Sequence, residues 1–335
     1  MSLERVPRDG WLQAFVLIAA VSGGLWAIGN RGSPAPAAPT VAPTAAPAVA
    51  PTAAPTVAPT AAPTVAAPFP LAAPAGRKRP RNGREWIVDS DGGMDSDAQT
   101  LSAAVAVAAA GDTIRLRRGL YRDSTIVEIA LTIIGDGKTG ETALIGTGDF
   151  ALSARGAALT VESLTLSAPK RADARAIEAR NGGSLRLVKC SVNGYEAESA
   201  AVIERGATLV SEDTEFTGGR DSVLFIRGSA NMTGGSLTGE KTLISVFGDG
   251  GKLDAKGVVL NRGEIGLATG DHARAILTGC RFTGLKLEAA AFSNSNLTLI
   301  DPAYDRAAPV CLSRGGKAEC RAPIKKQGLR REKGP

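Results

Sequence analysis

The stretch "FIRGSANMTGG", residues 225–235, contains an apolar pair, a polar corner made by Arg and Gly, and a second short apolar run. The same pattern recurs in "SARGAALTVESLTL" (153–166), "EARNGGSLRLVKCSV" (178–192), "ERGATLVSEDTEF" (204–216), "GDGGKLDAKGVVL" (248–260) and "GDHARAILTGCRF" (270–282). When these segments are aligned, the second apolar runs begin at equivalent positions. These positions are Leu164, Cys190, Thr214, Ser236, Val258 and Cys280, in steps of 26, 24, 22, 22 and 22 residues. A repeat of this length indicates stacked units that cannot bury an apolar face alone.

The repeated units have the composition of short strands. Each apolar run is rich in Val, Leu, Ile, Thr and Phe and ends at Gly or Asn. A sustained 3.6-residue apolar period is absent from the repeats, which disfavours helical units, and no leucine-rich frame is visible. A coil of about 22 residues with three short strands and three turns is a parallel β-helix. The sequence therefore predicts an all-β, single-stranded solenoid.

A helix is expected just before the repeats. Ser96 and Gln99 have the spacing of a capping box, residues 98–110 are strong helix formers, and Gly111 suits the position after a helix end. Such a helix can cover the open end of a solenoid, where unpaired strand edges favour aggregation.

The segment from Trp86 to Gly137, with "GDTI", "GLY" and "LTIIGDG" in succession, resembles the start of pectinesterase-type proteins. Over residues 86–300 the chain resembles the pectin-lyase-like superfamily, which implies a right-handed coil, an N-terminal capping helix and an enzyme that acts on a polysaccharide. The motifs of the family's enzymes are not matched. In "SVLFIRGSA" (222–230), Val223 or Leu224 stands where the esterases have an aspartate, and no "GRPW" or "GHG" motif follows.

An apolar segment precedes the predicted solenoid. Residues 11–29 carry no charge over 19 positions and include Trp11 and Trp26, which suits a membrane-spanning helix with interfacial tryptophans. Arg5 and Arg8 lie before this segment and favour a cytoplasmic N-terminus, residues 1–10. The expected topology is a single-pass membrane anchor with the solenoid outside the membrane, periplasmic or extracellular; the alternative is a cleaved signal peptide.

The remaining boundaries follow from composition. Residues 30–84 form a Pro/Ala/Thr-rich linker with prolines at every fourth position from Pro39 to Pro63 and a basic end at 77–84; this composition predicts an extended, disordered spacer. The β-helix domain is predicted at 85–305 and a basic tail at 306–335.

Charge is unevenly distributed along the chain. The net charge of the chain is +6. The two basic segments, residues 77–84 and 314–335, together carry more positive charge than this, so the rest of the chain is mildly acidic. That distribution argues against a nucleic-acid partner. Basic flanks outside a membrane suit anionic lipid or envelope polymers. A monomer is expected.

The four cysteines fall into two groups. Cys311 and Cys320 bracket "CLSRGGKAEC" and are predicted to close a hairpin by a disulfide, as in an exported domain. Cys190 and Cys280 share a position of the repeat but lie four coils apart, too far for a bridge at about 4.8 Å per coil. They are predicted to be buried free thiols.

Candidate catalytic residues are few. His272, the single histidine, stands beside Asp271 in "GDHAR", and Asp249 occupies the equivalent place one coil earlier. An aspartate-oriented histidine or a close carboxylate pair can serve acid–base chemistry, and solvated turn residues explain the pattern equally well. No cofactor and no metal site is expected.

A column of basic corners is the main binding feature. Counted back from the second apolar run of each coil, Arg155, Arg180, Arg205 and Arg227 occupy similar places, with Asp249 and Asp271 following. Stacked arginines repel unless they pair with Glu178 and Glu204 or meet an anionic ligand. The sequence therefore favours binding of an acidic polysaccharide without catalysis. The alternatives are an esterase, lyase or epimerase acting on a glycan, and a structural envelope spacer.

Overall fold

The computed structural model describes residues 83–305 and 310–320. These residues form one helix, α1 (Leu101–Val107), and 27 strands. In chain order the strands are β1 (Glu85–Val88), β2 (Thr113–Leu116), β3 (Gly119–Arg122), β4 (Thr125–Val127), β5 (Leu131–Gly135), β6 (Thr142–Ile145), β7 (Phe150–Arg155), β8 (Ala158–Glu162), β9 (Thr165–Ser167), β10 (Arg175–Arg180), β11 (Ser184–Val188), β12 (Ser191–Asn193), β13 (Ser199–Ile203), β14 (Thr208–Glu212), β15 (Glu215–Thr217), β16 (Ser222–Ile226), β17 (Ser229–Thr233), β18 (Ser236–Thr238), β19 (Thr242–Phe247), β20 (Lys252–Lys256), β21 (Val259–Gly270), β22 (Arg274–Thr278), β23 (Arg281–Phe292), β24 (Asn296–Ile300), β25 (Ala303–Tyr304), β26 (Cys311–Arg314) and β27 (Lys317–Cys320).

The strands stack into three parallel sheets, and each coil contributes one strand to each sheet. Sheet 1 has the order β1-β2-β5-β8-β11-β14-β17-β20-β22-β24-β27. Sheet 2 follows β3-β6-β9-β12-β15-β18 and sheet 3 follows β4-β7-β10-β13-β16-β19; the long strands β21 and β23 run through both, and β25 and β26 complete them. The result is an all-β solenoid of about nine turns with about 23 residues per turn. The predicted parallel β-helix is confirmed.

The core consists of columns of apolar side chains that stack from coil to coil. In sheet 1, one inward column runs through Leu159, Leu185, Leu209, Ala230 and Leu253. In sheet 2, another contains Leu144, Leu166, Val192, Phe216, Leu237, Leu260 and Phe282. Nearly all are fully buried, and each fully buried large side chain contributes about 1.5–3 kcal/mol. The alternation of apolar and polar residues in the short strands thus produces a continuous interior.

The corner between sheets 1 and 2 is sharp. A residue with positive φ stands there in successive coils, such as Lys189 (51°) and Asp213 (47°), with Gly257 (65°) at the same corner further on. Directly after this turn, the side chains of Cys190 and Cys280 point into the interior. Both are buried free thiols, as predicted.

The thiols at this corner are chemically quiet. Burial raises the pKa of the Cys190 thiol to about 11 and raises that of Cys280. Each sulfur lies within hydrogen-bonding distance of a backbone carbonyl, at 3.4 Å from the oxygen of Val161 and 3.6 Å from that of Ala255. Both thiols therefore act as packing groups of the core.

Helix α1 is shorter than predicted, and the predicted capping box is wrong. Thr100 is the N-cap, and its hydroxyl accepts a hydrogen bond from the Ala103 amide at 3.2 Å. Residues 97 and 98 instead extend the pairing of β1, because both their amides donate to the Ile87 carbonyl. This long-range pairing overrides the local capping motif at Ser96. The role of α1 as a cover for the first coil stays a prediction.

The C-terminal end of the solenoid lies beyond its predicted boundary. Strand β26 pairs with β23, and β27 pairs with β24, so the coils continue past residue 305 to Cys320. A disulfide joins Cys311 and Cys320, whose Cα atoms are 6.6 Å apart. It links β26 to β27 across the last corner.

Several predicted segments lie outside the described residues. They are the N-terminus (1–10), the anchor (11–29), the linker up to residue 82, and the tail residues 306–309 and 321–335. Within 83–305 and 310–320, no helix has the length and apolarity needed to cross a membrane.

The packing of α1 against β1, β2 and β4 is tested at Leu101, which is fully buried. Leu101→Asp is expected to lower the free energy of unfolding by about 3 kcal/mol or more, because it buries an unpaired carboxylate. Ala106→Asp, at an exposed position of the same helix, should cost less than about 1 kcal/mol. Denaturant unfolding measures both. Equal losses would show that α1 does not pack on the solenoid.

Candidate functional site

The outward face of sheet 3 brings together the ionisable groups that suit a binding site. One outward column of this sheet, here called the floor column, lies in register across seven coils. Its members are Ser153, Glu178, Val202, Phe225, Ser245, Ala268 and Ala290. Most of them are buried although they point away from the interior. Neighbouring side chains therefore shield this column from solvent, and the column forms the floor of the outer face of sheet 3.

The basic corners form a broken column beside the floor, here called the rim column. Arg155 and Arg180 are register partners. In the next coil the equivalent place is taken by Glu204, which follows Ile203, and Arg227 follows in the coil after that. The prediction of four stacked arginines is therefore wrong at Arg205, which lies one residue further on and is exposed.

Corner length explains this error. Residues 156–157 connect β7 to β8, whereas residues 204–207 connect β13 to β14. Counting back from the following strand therefore does not preserve register in the preceding strand. The sequence places the arginines at the right corner but not in the right column.

Glu178 is the centre of the most elaborate contact on this face. Its side chain is 2% exposed and accepts a hydrogen bond from the Ser153 hydroxyl at 2.7 Å. Arg180 approaches the same oxygen from Nε at 2.8 Å and Nη2 at 2.7 Å. Arg155 and Arg175 each place a guanidinium nitrogen 3.4 Å from this carboxylate. Three arginines thus converge on one buried acid, in agreement with the expected pairing of the arginine corners with Glu178.

The arrangement keeps Glu178 ionised. Burial opposes ionisation, but the hydrogen bond from Ser153 and the hydrogen bond and charge of Arg180 outweigh it, and the pKa of Glu178 is lowered. Three guanidinium groups therefore share one buried carboxylate, and the charges of Asp173 and Glu198 also act on Arg175. The side chains of Arg155, Arg175 and Arg180 remain 24%, 27% and 39% exposed, so each guanidinium still has surface for a ligand.

A second group of charges lies where the chain enters sheet 3. Glu198 and Asp221 directly precede β13 and β16, and the Asp221 amide donates to the Glu198 carbonyl at 3.0 Å. Lys241, one coil further, donates to the Asp221 carboxylate at 3.0 Å. Burial, and then the nearby negative charge of Asp221, raise the pKa of Glu198 against the opposing charges of Arg175 and other arginines. Glu198 thus has a raised pKa, and it lies beside Asp221, which is paired with Lys241.

The predicted catalytic candidates do not form the arrangement expected from the sequence. His272 Nδ1 lies 3.2 Å from Asp249 Oδ1, and both side chains are mostly exposed, at 63% and 77%. Register explains this pairing, since Phe247 pairs with Gly270 and so Asp249 stands beside His272 rather than beside Asp271. Asp271 and His272 both have positive φ at this corner. These residues lie on a solvated turn away from the buried acids.

Another polar depression lies near the start of the solenoid. It has a volume of about 450 Å³ and is lined by Asp89, Asp91, Gly93, Arg117, Arg118 and Asp136. Two of its three acids are paired, since Asp89 contacts Arg117 at 3.0 Å and Asp136 contacts Arg115 at 3.1 Å. Across residues 83–305 and 310–320, His, Cys, Asp and Glu nowhere form a group of three that could hold a metal ion.

Sequence reasoning missed Arg175, Glu198 and Asp221. They stand just before or at the start of strands whose repeats align poorly, because the preceding loops differ in length. Their signal in the sequence is weak: each is a charged residue beside a small one, as in "ARAIEAR", "EAESAAVI" and "RDSVLF".

Comparison with known proteins supports the fold. No protein-family model matches the chain, and no curated protein sequence matches it. Among solved structures, the pectate lyase Pel9A is similar, with 11% identity, 74% of this chain and 81% of that chain covered, and a TM-score of 0.52.

Two further structures are a pectin methylesterase from carrot (14% identity, 73% of this chain and 91% of that chain, TM-score 0.43) and an alginate lyase from Paenibacillus sp. str. FPU-7 (13% identity, 71% and 99%, TM-score 0.43). At such identities similarity shows the fold alone. The likeness to Pel9A shows that this solenoid is a right-handed parallel β-helix with the pectin-lyase-like fold.

The importance of Glu178 for stability is testable by acidification. Because its folded pKa is lowered, the carboxylate stabilises the fold fully above the ordinary Glu pKa of about 4.3. That contribution is lost as the pH falls through the still lower folded value. Glu178→Gln should cost about 3 kcal/mol at pH 7, because it leaves three partly buried guanidinium groups without their shared counter-charge, and should flatten the loss of stability below about pH 5.

Urea unfolding at a series of pH values measures both effects. Glu215→Gln, which changes an exposed glutamate on the outer face of sheet 2, is the matched control. A Glu178→Gln variant with the stability and acid profile of this control would show that the cluster does not support the fold.

Proposed function

We propose that this protein binds an acidic polysaccharide along the outer face of sheet 3. The observation that carries the proposal is the cluster in which Arg155, Arg175 and Arg180 surround the buried Glu178 carboxylate. The cluster holds three guanidinium groups around one buried carboxylate in a fixed position. A guanidinium binds a carboxylate through two parallel hydrogen bonds, so uronate carboxylates match this chemistry.

The repeat of the fold supports a polymer rather than a small anion. Successive coils place equivalent side chains about 4.8 Å apart, close to the length of one sugar in an extended chain. A polysaccharide lying along the solenoid would meet a new coil at nearly every sugar. The fold likeness to the pectate lyase Pel9A supports the same ligand class, since that enzyme is named for an acidic polysaccharide.

The cellular setting is part of the proposal. The apolar segment 11–29 and the Pro/Ala-rich residues after it suit a solenoid displayed outside a membrane on an extended stalk. The disulfide between Cys311 and Cys320 agrees with an oxidising compartment. On this view the ligand is an envelope or extracellular glycan.

Binding is tested by calorimetric titration with a galacturonate tetrasaccharide at about 0.15 M salt. Arg155→Gln combined with Arg180→Gln is expected to weaken binding about 100-fold, because two charge-assisted hydrogen-bonding partners are lost. Raising the salt to about 0.5 M should weaken the wild type, because exposed charges are screened.

The matched control is Arg186→Gln, which removes an equally charged side chain that pairs with Glu212 at 2.9 Å on sheet 1. Its affinity should equal that of the wild type. If the double variant binds as tightly as the control, the face of sheet 3 is not the binding surface. If the tetrasaccharide does not bind to the wild type, the structural-spacer alternative is favoured.

A second candidate function is cleavage of the same polysaccharide, and Glu198 is the observation that favours it. Its pKa is raised by burial and by the charge of Asp221, the direction that favours a protonated carboxyl group as a general acid. Asp221, in the adjacent coil, pairs with Lys241 at 3.0 Å. Two carboxyl groups in adjacent coils, one of which raises the pKa of the other, are suited to acid–base chemistry on a glycosidic bond.

If the protein cleaves the glycan, incubation should release new reducing or unsaturated ends, and the rate should fall as the pH rises through the raised pKa of Glu198, because the protonated form is the acid. Glu198→Gln should reduce the rate at least about 100-fold. Glu196→Gln, at an exposed position of the same loop, should leave it unchanged. Release of no product by the wild type would eliminate this second candidate and leave binding alone.

A further inference from the structure

Two phenylalanine side chains lie on the outward face of sheet 3, where neither serves the core. Phe225 belongs to the floor column and pairs with Ser245, and Phe247 belongs to the rim column and pairs with Gly270. Both rings are partly exposed. Their centroids are 6.3 Å apart and their planes differ by 19°. Two near-parallel, partly exposed rings side by side on an outward face form a small apolar surface that a ligand can contact.

The residues around the rings are small enough to leave them accessible. A Cβ atom on Gly270 would stand 2.5 Å from Cε1 of Phe247, so the ring occupies the space that a side chain there would take. Ser245 and Ala268 continue the floor beside the rings. The rings thus lie over a flat part of the sheet.

A cation adjoins this aromatic pair. The guanidinium carbon of Arg227 lies 5.2 Å from the centroid of Phe225, at a distance at which a cation is attracted to a ring face. Arg227 and Glu204 are 3.8 Å apart, and each side chain is 36% exposed. That weak, solvated contact leaves the guanidinium available to a stronger partner.

We infer that Arg227, Phe225 and Phe247 form a second subsite, which binds one uronate of the polysaccharide. The guanidinium group binds the carboxylate of the sugar. The rings contact the apolar face of the pyranose, where axial C–H groups form a flat hydrophobic surface. This inference rests on the proposed binding function and adds the position, chemistry and spacing of a subsite to it.

Spacing specifies the ligand further. The rim column reads Arg180, Glu204 and Arg227 in three successive coils, so the two cations are two coils, about 10 Å, apart. A carboxylate between them would face Glu204 and be repelled. The structure therefore favours an extended chain that turns a carboxylate toward the protein at every second sugar. Such a ligand needs at least three sugars to reach both cations.

The inference is tested with galacturonate disaccharides and tetrasaccharides and with a tetrasaccharide in which uronate alternates with a neutral sugar. The wild type should bind both tetrasaccharides more tightly than the disaccharide, by about tenfold for two ring contacts. Phe225→Leu combined with Phe247→Leu should remove this gain and leave disaccharide binding unchanged. Leucine keeps an apolar side chain at both positions, so the fold should survive, as circular dichroism and unfolding would show.

The matched control is Phe292→Leu, another partly exposed ring of the rim column, two coils beyond Phe247; it should retain the gain. Glu204→Gln should increase the affinity for the fully charged tetrasaccharide more than for the alternating one. The subsite is overturned if the double variant keeps the tetrasaccharide gain while the wild type binds both lengths. If the wild type binds no oligomer of either kind, the binding function itself fails and the subsite fails with it.

Discussion

Parallel hydrogen bonding between successive coils holds each strand opposite its neighbours, at a spacing of about 4.8 Å. Every column in this solenoid depends on that register, whether it is the inward leucines of sheet 1 or the outward floor of sheet 3. A slip of one residue in any strand would move its whole inward set to the outside. The same constraint that builds the core therefore also places charged groups of different coils within contact distance.

The sequence predicts the regular part of this architecture well and the functional face only in part. The repeat of the apolar runs follows strand alternation, so it predicted a parallel β-helix and the buried thiols of Cys190 and Cys280 correctly. Corner lengths follow no such rule, because a turn is shaped by its own residues and tolerates insertions. This is why the sequence predicts Arg205 in a column that Glu204 occupies, and why His272 pairs with Asp249 rather than with its neighbour in sequence.

The outer face of sheet 3 changes in character along the solenoid. Around Glu178 it is charged and cationic, whereas from Phe225 onward it becomes aromatic and then small and apolar, through Ala268 to Ala290. A sugar chain presents both kinds of surface, with carboxylates at its edges and apolar patches on its ring faces. The order of residues along the floor column thus matches one extended, amphipathic ligand better than a set of separate small anions.

The fold itself does not require a buried acid at the position of Glu178. Desolvating a carboxylate is costly, and buried ion pairs can often be replaced by apolar side chains of similar volume with no loss of stability. Val202 and Ala268 occupy the same floor column, so apolar residues are evidently accommodated there. What the buried acid adds is orientation: it holds Arg155, Arg175 and Arg180 in one geometry before any ligand arrives. Because ordering a long side chain costs about 0.5–1.5 kcal/mol on binding, pre-oriented guanidinium groups bind an anion with less of that loss than free surface arginines would.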